Sequence, residues 1–235
     1  MHWQELEQEI SRRAEVDAGF WDDSYYFTAL ANLDWDEAGR NISRNIKVMC
    51  DFLNQYQPPD ERVDIDQEKL QSMWLETVAP LADCVENVYL ERHGMLKAED
   101  KKEFGVQCVG QAIQKMYDEL TGVPHVGLTN ASKLLHLRFP KLFVMTDERI
   151  RRYWWEDVGL HELYGRRETE LFQGYGYTFI FLPFIKSHAV DAIMSYADER
   201  GVAIGEAISH LGSLGGKKRT MAKLIHEYYY AITRA

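Results

Sequence analysis

Asp147 opens the run Asp147-Glu148-Arg149-Ile150-Arg151-Arg152, in which one aspartate precedes three guanidinium groups. An aspartate ahead of a helix ordinarily caps it, because the carboxylate accepts a free first-turn amide. That placement also favours the ionised form, beside a basic helix face that could meet a polyanion. Upstream, Gly122 to Gly127 (GVPHVG) form a tight turn between a helix ending at Leu120 and another beginning near Thr129, with Ala131, Leu134 and Leu135 facing inward. Two helices joined by a Gly-bearing turn make a hairpin. Its free backbone N–H groups and helix dipole make an anion site suited to a DNA phosphate. Such a contact reads the backbone and not the base sequence.

The elements that must hold these residues are helical. Ile42, Ile46, Met49 and Leu53 recur at helical spacing, as do Leu70, Met73, Trp74, Val78, Leu81, Val85 and Val88, with Pro80 as an expected kink or break. Val106, Val109, Ile113, Met116, Tyr117 and Leu120 form the cleanest stripe, and Met221, Leu224, Ile225, Tyr228 and Ile232 the last. Each stripe is a core face. Breaks are expected at Pro58-Pro59-Asp60, Arg92-His93-Gly94, Gly174-Tyr175-Gly176 and Gly212 to Gly216. Only Tyr177–Ile185 could be a strand, or a buried helix ended near Pro183.

With 235 residues the chain suits one large domain or two small lobes sharing a cleft, and its 46% hydrophobic content supports a real core. A net charge of −10 argues against a simple nucleic-acid binder. The charge is uneven, however: residues 1–120 carry −13 and residues 121–235 carry +3, so a polyanion should meet the second half. Cys50, Cys84 and Cys108 form no CxxC pair and read as buried thiols in a reducing cytosol. The eight histidines show no paired-ligand spacing, so no metal is expected. The N-terminus lacks a signal-peptide pattern, and the longest apolar run, Phe179–Ile185, is too short to span a bilayer. A cytoplasmic location, away from membranes, is therefore expected.

On these residues Gly122 to Arg152 resembles the helix-hairpin-helix superfamily of DNA glycosylases. Val126-Gly127 matches the end of the family's Gly-hydrophobic-Gly hairpin, and Ala131 the small residue of its second helix. Val144-Met145-Thr146-Asp147 matches the apolar approach to the family aspartate, and Ile150-Arg151-Arg152 the start of the next helix. Gly127 and Asp147 are 20 residues apart, the family's spacing. A helix of about nine residues and an extended return span that distance. His125 stands where the family has its first hairpin glycine, and Asn130 where it usually has threonine.

The resemblance implies an all-α fold of two helical lobes, with the helix-hairpin-helix motif and a catalytic Asp at the cleft between them. Residues 30–140 would form one lobe ending in the hairpin (about 121–130), and residues 1–29 with 141–235 the other, the two acting as one unit. The implied activity is flipping a damaged or modified base out of double-stranded DNA and hydrolysing its N-glycosidic bond. Asp147 would be catalytic: bond cleavage builds positive charge on the sugar, which a fixed carboxylate stabilises while it orients or deprotonates water. Thr129 replaces the lysine of the strand-cleaving members, so base removal without lyase chemistry is expected. Lys133, one turn further on, would be a phosphate or solvent lysine, or a substitute for the missing one. Four late cysteines are absent, so no iron–sulfur cluster and no cofactor is expected.

DNA contacts would come from His125, Val126, Gly127, Thr129, Asn130, Lys133, Arg149, Arg151 and Arg152, with Lys217 and Lys218 of a second basic cluster (with Arg219 and Lys223) flanking the duplex. A flipped base needs a pocket; Trp21, Tyr25, Tyr26 and Trp35 are candidate aromatics that could equally be core. A monomer is expected. The base could be oxidised, alkylated or a bulky phage modification such as glucosylated hydroxymethylcytosine, which would make the chain a defence enzyme. The alternative is a non-catalytic helix-hairpin-helix module binding DNA or protein.

Overall fold

The computed structural model describes residues 1–16, 23–35, 41–55, 62, 64–92, 109–164 and 172–234, and among them every regular element is a helix, giving an all-α fold. In order these are α1 (Trp3–Val16), α2 (Ser24–Asn32), α3 (Ile42–Gln55), α4 (Gln67–Met73), α5 (Ala79–Val85), α6 (Val109–Thr121), α7 (Gly127–Arg138) and α8 (Glu148–Glu156). There follow α9 (Leu160–Tyr164), α10 (Gly174–Gly176), α11 (Leu182–Arg200), α12 (Ile204–Leu211) and α13 (Met221–Ile232). No described helix is long and apolar enough to cross a membrane.

The stripes become core as their spacing requires. Ile46, Met49 and Leu53 of α3, Ile113, Met116 and Leu120 of α6, and Leu224 and Ile225 of α13 are buried; each such side chain contributes about 1.5–3 kcal/mol of transfer free energy. Val106, Pro58 to Asp60 and His93-Gly94 lie outside the described residues. α7 packs on α6 and α3, while α1 packs on α11 and α13, joining the start of the chain to its last helices.

Both prolines expected to interrupt helices do something else. A wide π-turn, Trp74–Val78, precedes Pro80, and a second, Tyr177–Phe181, precedes Pro183. Pro lacks an N–H and its ring crowds the carbonyl four residues back. The residue before each proline instead bonds five residues back, Ala79 N–H to Trp74 O and Leu182 N–H to Tyr177 O. The widened turn makes room for the ring and the helix continues. The Tyr177–Ile185 segment is therefore neither a strand nor a helix ended at Pro183. Gly174-Tyr175-Gly176 likewise starts a helix: Gly174 N–H donates to Asp118 Oδ1 at 2.9 Å, and a Cβ there would lie 2.3 Å from that oxygen.

Between α2 and α13 lies a buried ionic network. Asp23 accepts from Lys223 Nζ (3.3 Å) and Arg219 Nη2 (3.3 Å); Glu227 accepts from Arg219 Nε (2.9 Å) and Lys223 Nζ (3.1 Å). Asp23 stands at the N-cap position of α2 but makes no side-chain cap there, because its carboxylate reaches across to α13. Removing one partner strands buried charge, so Asp23→Ala should lower unfolding free energy by about 3–5 kcal/mol. Urea denaturation measures this, and a loss under about 1 kcal/mol, the scale of an exposed pair, would contradict the network's role.

Candidate functional site

The turn between α6 and α7 is built by local bonds. Val123 N–H returns to Leu120 O and Val126 N–H to Val123 O, both at 3.1 Å. Val123 and Val126 are buried and anchor the turn from below, leaving Pro124 and His125 exposed. His125 has φ +66° and Gly127 φ +57°. The histidine thus adopts a left-handed conformation that ordinarily favours glycine, at a cost of about 1–2 kcal/mol. Asn130 is buried and its Nδ2 donates to His125 O at 3.3 Å, which holds that conformation. Tyr117 Oη donates to Leu128 O at 3.0 Å and ties α6 to the first turn of α7.

The chain leaves α7 and returns through Phe139 to Thr146. Tyr177 fixes this return: its Oη donates to Val144 O at 2.7 Å and its ring stacks on Tyr117 with centroids 4.2 Å apart. Ser132 of α7 completes the closure. Its buried Oγ accepts from Thr146 N–H at 2.9 Å and donates to Thr129 O at 2.8 Å. The residue before Asp147 is therefore held against the helix that follows the turn.

Asp147 is the N-cap of α8, with extended backbone (φ −121°, ψ 179°). Its Oδ1 accepts from Ile150 N–H at 2.8 Å, and its Oδ2 is ion-paired with Arg234 Nη2 at 3.3 Å. The Asp147 side chain retains 21% exposure, so it is reachable from solvent. One turn along α8, Arg151 Nη1 donates to Thr129 Oγ1 at 2.7 Å. Thr129, Asp147 and Arg151, read together in the sequence, are thus brought together in space.

Lys133 belongs to the same group and is half-buried. Burial lowers its pKa from 10.5 to about 8; Asp147 partly restores it, and Arg234 and Arg151 lower it further. Folding disfavours its protonated form, a cost fully present below about pH 8 and relieved as pH rises towards 10.5.

The other candidates are dispersed. Arg149 and Arg152 are exposed, and Arg152 pairs with Glu148 across one turn at 2.9 Å. Lys217 and Lys218 are exposed on the turn before α13, and Lys217 lies 3.6 Å from Asp23 Oδ2. Of the aromatics, Tyr25 is 47% exposed and Trp35 stacks on Trp74 with Arg138 over its ring. Tyr26 is buried beside His136 at 2.8 Å. Burial holds the His136 imidazole neutral, its pKa near 3. Its Nδ1 faces the carbonyl of Phe143 and so carries the hydrogen, leaving Nε2 to accept from the Tyr26 hydroxyl. Tyr26 is therefore a core residue in this arrangement. Trp21 lies outside the described residues.

Arg234, Ser132 and Tyr117 take site roles that sequence reasoning does not assign to them. Ser132 lies between the singled-out Ala131 and Lys133, and Tyr117 within a core stripe, so their polar roles have only weak signals. Arg234 has none, because its place beside Asp147 depends on how α13 packs.

Comparison of the chain with protein-family models, with curated proteins and with solved structures yields no match. The Lys133 environment makes a direct expectation. A 13C NMR titration of its Cε should have its midpoint near pH 8. A midpoint at the ordinary lysine value, about 10.4, would mean that the amine is not held as described.

Proposed function

We propose that the chain is a DNA glycosylase of helix-hairpin-helix type, with Asp147 as its catalytic carboxylate at a cleft between two helical lobes. One observation carries the reading: Thr129 and Ser132 of the helix after the turn are bonded to Arg151 and Thr146, on either side of Asp147. A turn able to hold a DNA phosphate and a carboxylate able to face the neighbouring sugar are thereby one rigid unit. Rigidity matters because the carboxylate must already be placed when charge develops.

The turn from His125 to Gly127 and the first amides of α7 would receive the phosphate backbone of a damaged or modified duplex, with Lys133, Arg149 and Arg152 supplying positive charge. The target nucleotide would leave the stack. As its N-glycosidic bond lengthens, positive charge grows on the sugar, and Asp147 would stabilise it and take a proton from the attacking water. The departing base takes the bonding electron pair and a proton, leaving an abasic site. Thr129, hydroxyl-bearing and bonded to Arg151, offers no amine for strand cleavage. The excess of acid in residues 1–120 favours contact through the second half. The base would be a specialised one: oxidised, alkylated or a phage modification such as glucosylated hydroxymethylcytosine, the last making the chain an antiviral defence enzyme of the cytoplasm.

A second reading has its own observation. Both Asp147 oxygens are engaged within the chain, one by Ile150 N–H and one by Arg234, as in a purely structural cap of a non-catalytic binding module. The two readings separate on damaged, host and phage DNA, with released bases identified by mass spectrometry and abasic sites by alkali-induced nicking. Asp147→Asn should lower base release by at least about 10²-fold while DNA binding persists. Equal release by wild type and variant would remove Asp147 from the chemistry, and DNA binding without release by either would favour the binding module.

A further inference from the structure

Arg234 occupies the face of Asp147 that a substrate would need. Oδ1 is committed to the Ile150 amide at 2.8 Å, and the guanidinium stands 3.3 Å from Oδ2. A cation there opposes the task assigned to Asp147. It weakens the field that would stabilise positive charge on a sugar approaching the same oxygen.

The guanidinium is also well placed to leave. Its carbon lies 3.4 Å from the centre of the Tyr230 ring, a cation–π contact that does not itself depend on the Asp147 carboxylate. The Arg234 side chain is 31% exposed, so an anion can reach it. Its charge is felt at Lys133, so it lies close to the group formed by Lys133, Arg151 and Asp147. A phosphodiester is the competitor suited to take it, because a guanidinium can bind phosphate in bidentate fashion.

We propose that Arg234 is a phosphate-operated latch on Asp147. In the free chain it covers Oδ2; beside a DNA phosphate it transfers to the phosphodiester and uncovers the carboxylate. Asp147 Oδ2 is then freed of its ion pair only where a nucleic-acid backbone is present, so bases in free nucleosides are spared. The catalytic meaning of the latch rests on the glycosylase reading, but its binding signature does not.

The test is a four-protein cycle of wild type, Asp147→Asn, Arg234→Gln and the double variant. Affinity for a short unmodified duplex is measured by fluorescence anisotropy. Removing the Asp147 charge releases Arg234 from that ion pair and also removes a negative charge from the neighbourhood. The second effect operates in both backgrounds; the first needs the arginine. Asp147→Asn should therefore tighten binding about fivefold or more when Arg234 is intact and by under about twofold when it is combined with Arg234→Gln, a coupling within the usual range between linked sites. Arg234→Gln alone should weaken binding, and Arg234→Lys should restore it only in part, since lysine keeps the charge without the fork. Equal effects of Asp147→Asn in both backgrounds, or unchanged affinity in Arg234→Gln, would overturn the latch. The cycle needs no base release, so a clear latch in a protein that excises nothing would count against the glycosylase reading alone.

Discussion

The arrangement depends on the closure between α7 and α8, made by two short polar links. Arg151 reaches back from α8 to Thr129 at 2.7 Å, and Ser132 receives the backbone N–H of Thr146 at 2.9 Å. Both links are charge-assisted or buried, the conditions under which hydrogen bonds hold geometry best. Without them the turn at His125–Gly127 and the cap at Asp147 would be separate features, each with an ordinary structural explanation. With them, a left-handed turn with Pro124 and His125 exposed and a solvent-reachable carboxylate share one frame. The frame is backed by aromatic packing, since Tyr177 stacks on Tyr117 and donates to Val144 O.

Much of this frame is legible in the sequence because it rests on short-range rules. Helical spacing identifies the core faces of α3, α6 and α13, and Asp147 ahead of Arg149 to Arg152 identifies a helix start. His125 adopts a left-handed conformation, which the residue type alone disfavours; the bond from Asn130 to its carbonyl helps to hold it there. The prolines mislead for a physical reason. Pro80 and Pro183 read as interruptions, yet each follows a π-turn that absorbs the missing donor, and no residue pattern announces such a turn. The contacts that define the site most closely are not legible. Arg234 meets Asp147 across 87 positions, and Asp23 meets Lys223 across 200; pairings at that separation are set by packing and not by local sequence. Tyr26 and Trp35 show the converse limit, because aromatic side chains satisfy core and pocket alike until their neighbours are known.

Charge organises the rest. An acidic chain keeps its basic character in its second half, and part of that character is turned inward. Arg219 and Lys223 are consumed by Asp23 and Glu227 in the core, so they set the position of α13 and cannot meet DNA while so paired. α13 in turn leads to Arg234 at Asp147 and gives His226 to Met145 O at 2.9 Å, next to the buried Thr146. The ionic network thus reaches the surroundings of Asp147 through one helix, a structural route by which Asp23 of the acidic first half bears on the second.

The proposed role of Asp147 is to stabilise positive charge on a sugar held beside the α6–α7 turn. Its most direct test compares affinity for two duplexes, one carrying a neutral tetrahydrofuran abasic analogue and one a cationic pyrrolidine analogue of the same shape. A carboxylate complementary to the transition state should bind the cationic duplex at least about 10²-fold more tightly, and Asp147→Asn should erase that preference. Equal affinity of the wild-type chain for the two duplexes would rule out that role for Asp147.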